Sequence, residues 1–297
     1  MINQTIIDKS EINHVDLGLI SKAEVLCCGD THFGSAWHDK KMSDYVVKWV
    51  SQSKDRYVLF AGDLLDAATK QSISDSYPNM DPLDAQEMAE NWVNHVNAGI
   101  GDGRNHMLGA VMGNHDRRYV REIGINPVGD IFRNAGVMLG TGYEVNKSGK
   151  LSRRLRNNGY LMILDIMIGH CTHYSSKTRS PVHYAIVMHH GTGGGGTPGN
   201  RINMMMKLPR MVANADAYVV GHTHMVDETA SVLTEINDRY SYVYERPQEH
   251  IMVPGMLKPN GSYADEKMLP HLLRDRFPIM SLSGEKKEIK VFMDRIS

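Results

Sequence analysis

The sequence predicts an α/β fold, and three observations carry that expectation. Short apolar runs of strand length recur along the 297 residues, and amphipathic stretches with helical spacing lie between them. Five of the runs end in acids, amides or imidazoles. Strands alternating with helices make βαβ units around a central sheet, and in an open α/β sheet ligands bind beyond the carboxyl ends of the strands.

The first run, Ala23 to Cys28, leads into Gly29-Asp30-Thr31-His32. Asp and Gly are ordinary turn formers, so this end alone is equally explained by a turn. Met42 to Gln52 then places Tyr45, Val46, Trp49 and Val50 on one helical face. Tyr57 to Ala61 reads as the second strand and ends in Gly62-Asp63. Asp81-Pro82 opens a second helix as N-cap and first-turn proline; its stripe is Met88, Trp92, Val93 and Val96, and Gly99 stops it. Leu108 to Met112 ends in Gly113-Asn114-His115-Asp116.

From Arg117 to His183 the pattern is less regular. Val128 to Asn134 reads as a short helix, and Val137 to Leu139, Tyr143 to Asn146 and Tyr160 to Ile168 as strands of a second sheet. Tyr184 to Met188 ends in His189-His190-Gly191, and Ala217 to Val220 ends in Gly221-His222-Thr223-His224. Beyond Thr223 the chain is β-rich, with strands at Ala230 to Ile236, Tyr240 to Glu245 and Ile289 to Met293. Pro254 to Pro278 is dotted with proline and reads as loop. With no repeat and no linker, residues 1–297 read as one domain, carrying an insertion around 117–182 and a β-rich part over 225–297.

Composition narrows the function class. A net charge of -1 argues against a protein that coats duplex DNA by phosphate neutralisation, though not against a local basic groove. No window approaches the length of a membrane span, and the first residues lack a basic region followed by an apolar one. Three cysteines, two of them adjacent, make no disulfide framework. The expectation is a cytoplasmic protein with no membrane partner.

The strand ends carry metal-ligand chemistry. Imidazole with carboxylate suits Zn, Fe, Mn or Co, and a two-metal site holds its ions about 3.5–4 Å apart. Asp63, alone at its strand end, is the natural bridging carboxylate. Asp30 and His32, two apart on extended chain, project to one side and can grip one ion. His222 and His224 do likewise, each able to reach a different ion. Asn114 offers an amide oxygen that adds no charge to an anionic cluster.

In this order Asp30-Thr31-His32, Gly62-Asp63, Gly113-Asn114-His115-Asp116, His189-His190 and Gly221-His222-Thr223-His224 resemble the motifs of the calcineurin-like metallophosphoesterases, over about two-thirds of the chain. The resemblance implies a four-layer α/β/β/α sandwich with a dinuclear centre at the sheet ends. It implies that Asp30, His32, Asp63 and His224 hold one ion, and Asp63, Asn114, His189 and His222 the other. His189 is preferred to His190 as ligand by the family pattern. His115 becomes the general acid that protonates the leaving alkoxide, and Asp116 orients its ring. Two divalent ions are implied, Mn²⁺ first, with Zn²⁺, Fe²⁺, Mg²⁺ or Ni²⁺ as alternatives.

The substrate is less legible. Gly62-Asp63-Leu64-Leu65-Asp66-Ala67 departs from the phosphoprotein phosphatase pattern, whereas Asp30-Thr31-His32-Phe33-Gly34 and Gly113-Asn114-His115-Asp116-Arg117-Arg118 are similar to the nuclease and phosphodiesterase side. The Gly-rich loop from His189 to Arg201 resembles phage-encoded members, implying action in a bacterial host. Gly193 and Gly194 there, with Arg117 and Arg118, are the candidate substrate contacts. Arg117, Arg118 and Arg121, and again Lys150, Arg153, Arg154 and Arg156, either line a path for a polyanionic strand or form solvated faces. Tyr119 and Tyr160 either stack bases or pack in a core. His170, Cys171 and His173 lack further ligands and are read as incidental.

The function expected is therefore a metal-dependent phosphodiesterase or nuclease that hydrolyses DNA phosphodiester bonds through a metal-activated water. The alternatives are a small-nucleotide phosphodiesterase or phosphomonoesterase, favoured by the near-neutral charge, and a non-catalytic metal-binding scaffold.

Overall fold

The computed structural model describes residues 12–66, 80–140, 144–145, 151–152, 159–172, 179–192, 197–236, 239, 241–258 and 275–296. In chain order the elements begin with β1 (Ile12–Asp16), β2 (Lys22–Cys28), α1 (Lys40–Val50), β3 (Arg56–Phe60), α2 (Pro82–Ala98), β4 (Met107–Ala110) and α3 (Asp116–Arg118). A π-helical turn over Tyr119–Ile123 follows, then α4 (Pro127–Asn134), β5 (Glu144–Val145), β6 (Leu151–Ser152), β7 (Leu161–Thr172) and β8 (Arg179–His189). Last come α5 (Pro198–Met205), α6 (Leu208–Met211), β9 (Ala217–Val220), β10 (Asp227–Ile236), β11 (Val243–Met252), β12 (Arg276–Ser283) and β13 (Ile289–Arg295).

The strands form two large sheets, as the second sheet in the sequence reading and the family resemblance both imply. One has the order β13-β12-β2-β3-β4 and the other β1-β7-β8-β9-β11-β10. Side-chain parity explains the stacking. Ala23, Val25 and Cys27 of β2 meet Tyr184, Ile186 and Met188 of β8 in a core between the sheets. Leu26 and Cys28 point the other way, into a second core closed by Val46, Trp49 and Val50 of α1, Trp92, Val93 and Val96 of α2 and Phe132 of α4. On the far face of the six-stranded sheet, Val187, Tyr218 and Val220 pack under Met204, Met205 and Leu208 of α5 and α6. The layers run α/β/β/α, as the family resemblance implies.

Local signals placed α2 correctly: the Asp81 side chain accepts from Leu83 N, Pro82 is the first residue, and Gly99 closes the helix at φ 53°. Several readings differ. Val137 to Leu139 forms no strand of the second sheet, Leu139 bridging Ala110 beside β4 instead, and among the described residues β5 pairs only with β6 in a small sheet of its own. β12 begins inside the stretch read as loop; Pro278 pairs with Met293 of β13 but lies beyond the ladder with β2, which starts at Ile279, so no hydrogen bond to β2 is forfeited. The Gly-rich tract leads into α5, where the Thr197 hydroxyl caps Asn200 N and Pro198 takes the first turn. β1 pairs with β7 although its residues alternate between exposed and half-buried, too weak a pattern to read. Among the described residues no helix is long and apolar enough to cross a membrane.

Candidate metal centre

Parallel pairing of β2 with β3 continues past both strands into the motif loops. Ala61 N donates to Cys28 O at 2.7 Å, Asp30 N to Gly62 O at 2.7 Å, His32 N to Asp63 O at 3.0 Å and Phe33 N to Leu64 O at 2.9 Å. The first two motifs are thus laced together by main chain, to which the Thr31 hydroxyl adds donations to Asp63 O and Leu64 O. The lacing demands unusual backbone. Asp30, His32, Asp63, His222 and His224 all have left-handed φ, between 47° and 74°. Each such non-glycine residue costs roughly 1–2 kcal/mol unless its surroundings compensate. Gly113 is required by close approach, since a Cβ there would overlap the Asp63 carboxylate.

The five motif ends meet where the two sheets meet. β2, β3 and β4 deliver Asp30, His32, Asp63, Asn114 and His115; β8 and β9 deliver His190, His222 and His224. In one group, His32 Nε2 lies 3.2 Å from His224 Nε2 and His224 Nε2 lies 3.2 Å from Asp30 Oδ1. In the other, His190 Nε2 lies 3.1 Å from Asp63 Oδ2, 3.0 Å from Asn114 Oδ1 and 3.3 Å from His222 Nδ1. Asp63 Oδ2 also stands 3.8 Å from His32 Nε2, so one carboxylate oxygen borders both groups. Its Oδ1 accepts from His115 N at 2.8 Å.

These donors fit cations better than they fit one another. His190 Nδ1 sits 2.8 Å from Ala61 O, which can only accept, so Nδ1 carries the proton. In the neutral ring Nε2 then turns a lone pair toward Asp63 Oδ2, Asn114 Oδ1 and His222 Nδ1. A proton or a cation is needed to reconcile them. Buried Asp30 Oδ1 makes no hydrogen bond despite the nearby His224 nitrogen. Asp30–His32–His224, Asp63–His190–His222 and His32–Asp63–His115 each bring three donor atoms within 4.8 Å of one another, the span of a metal site.

Charge follows the same geometry. Burial would raise the Asp63 carboxyl, but His190 and His115 hold it well below the usual carboxylate range. Burial would lower His190, but Asp63 and Asp30 lift it to about 10. Burial, reinforced by His115, pushes His32 down to about 3, and burial with His190 lowers His222.

Two sequence expectations are corrected. His189 does not face the cluster; His190 does. His189 Nδ1 accepts from Gly191 N at 2.8 Å, and its ring stands beside Tyr160 at 6.4 Å. The cause is strand parity: Tyr184, Ile186 and Met188 face the other sheet, so His190 falls on the inner side and His189 on the outer. Likewise, Asp116 does not orient His115. Its carboxylate accepts from Leu65 N at 3.0 Å and Gly113 N at 2.8 Å, tying the second and third motif loops together. Burial and then Asp63 raise that carboxyl to about 7.

The carboxylate that does meet His115 is Asp66, which the sequence reading missed: Asp66 Oδ1 lies 2.7 Å from His115 Nδ1. Burial would lower His115, yet Asp63 and Asp66 raise it. Arg118 nitrogens lie 3.4 and 3.5 Å from the His115 ring nitrogens, and Arg117 lies over Tyr160. Gly193 and Gly194, and the basic group Lys150, Arg153, Arg154 and Arg156, lie outside the described residues.

A family model described as calcineurin-like phosphoesterase matches residues 23–226. No curated protein matches the chain. Among solved structures it is similar to the Haemophilus influenzae NAD nucleotidase (NadN), at 11% identity and TM-score 0.39, covering 92% of this chain and 49% of that one. This chain therefore spans about half the length of that nucleotidase. It is also similar to Vps29 complexed with Zn+2 from Entamoeba histolytica, at 11% identity and TM-score 0.35, covering 92% of this chain and 99% of that one. A third is TT1561 of Thermus thermophilus, at 6% identity and TM-score 0.38, covering 93% of this chain and 99% of that one.

Proposed function

The chain belongs to the calcineurin-like phosphoesterase family, and from that premise we propose that it is a dinuclear metal-dependent phosphodiesterase acting on nucleic acid. The observation that carries this reading is Asp63, whose Oδ2 borders both donor groups. Asp30, His32, Asp63 and His224 would hold one divalent ion; Asp63, Asn114, His190 and His222 would hold the other. When bound, such a pair supplies Lewis acidity to the phosphoryl oxygens and acidifies a water.

The remaining chemistry belongs to the chain's own side chains. Asp63 keeps Oδ2 turned toward both donor groups because Oδ1 accepts from His115 N. His115 acts as general acid: Nδ1–H donates to Asp66 Oδ1, which leaves Nε2 to carry the proton given to the leaving oxygen. Asp63 and Asp66 raise the ring's pKa, which favours the protonated form that the transfer needs. Asp116 acts at one remove, fixing the backbone that presents Asn114 and His115. Arg118 at the His115 ring, with Arg117, forms the cationic rim of the substrate path, and Gly193 and Gly194 remain proposed contacts there.

A shorter nucleotide substrate is the second reading, favoured by the net charge of -1. The test is hydrolysis of bis-p-nitrophenyl phosphate and p-nitrophenyl phosphate with Mn²⁺ and with chelator, in wild type and His115→Ala, followed by single- and double-stranded DNA. Metal-dependent diester cleavage extending to DNA, and lost in His115→Ala, is the expected result. Diester cleavage that spares DNA selects the short substrate. Monoester turnover alone makes the protein a phosphatase. Inactivity with Mn²⁺, Zn²⁺, Fe²⁺, Mg²⁺ and Ni²⁺ leaves a scaffold.

A further inference from the structure

Arg117 and Tyr160 meet at the rim of the centre. Arg117 follows His115 by two residues, and its N–H donates to Gly113 O at 3.4 Å. Tyr160 immediately precedes Leu161, which pairs with His189, so the antiparallel register sets Tyr160 opposite His190. Both residues are thereby anchored to segments that carry cluster side chains. The guanidinium carbon of Arg117 lies 3.2 Å above the centroid of the Tyr160 ring. The His189 ring stands on the same tyrosine at 34°.

A guanidinium lying flat on an aromatic ring is attracted through its face and keeps its N–H donors at its edge. Stacking fixes the plane of that fork, and a planar fork suits bidentate pairing with phosphate. The neighbouring Arg118 has a different station, against the His115 ring. Two successive arginines thus serve two places, one at the proton donor and one on a tyrosine beside it.

We propose that Arg117, held on Tyr160, is a specificity residue that binds a second phosphate of the substrate, next along the strand from the phosphate being cleaved. The substrate class is then an oligonucleotide or longer strand. Resting on the phosphodiesterase reading above, this inference separates a strand from an isolated diester by one charge-assisted contact. Tyr160 is a positioning residue that acts through Arg117.

The test compares three probes with the same scissile bond: TpT, with one phosphate, pTpT, with a second at the 5′ side, and TpTp, with a second at the 3′ side. With Mn²⁺, wild type is expected to show a KM about tenfold lower for pTpT or TpTp than for TpT, the responding probe naming the side of the subsite. Arg117→Met should bring that KM ratio close to one, with the larger change in KM and the smaller in kcat. The slope of log kcat/KM against log salt for the responding probe should become shallower by about one. Tyr160→Leu should act in the same direction, and Tyr160→Phe, which keeps the ring, should preserve the ratio. An equal KM for all three probes in wild type, or a ratio unmoved by Arg117→Met, overturns the subsite. Should wild type cleave none of them with any metal, the phosphodiesterase reading falls. Fluorescence anisotropy of labelled pTpT and TpTp against labelled TpT in chelator then decides the subsite by itself: weaker binding of the responding probe to Arg117→Met keeps it, and equal binding removes it.

Discussion

The two sheets bring different chemistry to one seam. Among the described residues, the five-stranded sheet supplies the carboxylates that border the cluster, Asp30, Asp63 and Asp66, together with the amide of Asn114 and the rings of His32 and His115. From the six-stranded sheet the described residues at the cluster are imidazoles: His190, His222 and His224. Neither half is balanced alone. Asp63 stays ionised while buried because His190 and His115 face it, and His190 holds its proton because Asp63 and Asp30 face it. A binding site divided in this way is completed only when the sheets pack, so occupancy and packing are linked quantities.

The sharpest way to break the comparison is Asp63→Asn, which removes the carboxylate bordering both halves. Turnover of bis-p-nitrophenyl phosphate should fall by about 10³-fold, the upper end of the range for lost electrostatic stabilisation. Bound metal after dialysis should fall from two ions per chain. Next, His190→Ala should cost about 10²-fold or more and His189→Ala less than about tenfold, the scale of a lost ligand against a bystander. The opposite ranking would restore the family-pattern choice of His189.

Asp66→Asn tests the pairing inside the five-stranded half. Asp66 helps raise His115, so its removal lowers that pKa. Activity that needs protonated His115 is lost as pH rises through the pKa, and this limb should move to lower pH while kcat drops up to about 10²-fold. A limb that stays in place would dismiss Asp66 as the ring's partner.

The smallest effect sharpens the linkage. In the metal-free protein His190 is raised to about 10. Its contribution to stability is full below the unfolded value near 6.5 and is lost as pH climbs through the folded value. Metal must displace the same proton, so apparent affinity should rise by up to about tenfold per pH unit below 10. Calorimetry in buffers of different ionisation enthalpy should count about one proton released. Each ion present at a hundred times its Kd should then add about 2.7 kcal/mol to the stability of the packed sheets.

The motif ends were legible because each couples an apolar run with a polar stop, and all five of those strands exist. Which histidine of the pair turns inward was not legible. Tyr184 to Met188 is apolar on both faces, so no alternation marks its parity, and a slip of one residue exchanges His189 for His190. Asp66 was hidden for a different reason. Its approach to His115 depends on the fold of the loop after Asp63, with buried Leu64 and Leu65 between, and no periodicity reports a loop. The assignment of Asp116 failed through adjacency: a neighbour in sequence was taken as the ring's partner, whereas its carboxylate faces two backbone amides. The division of five strands between two sheets left no trace either, because both sheets end in the same kind of residue.

The backbone ladder that runs on from β2 and β3 through Asp30, His32 and Phe33 bears on how the centre fills. Main chain that carries three of the donor residues is fixed before any ion arrives. Loading at these three donors then requires an ion to shed its water and expel a proton, not to order the main chain that carries them. Uptake should accordingly follow a single exponential whose rate tracks the water-exchange rate of the ion chosen, and repeated stripping and refilling should leave the same site each time.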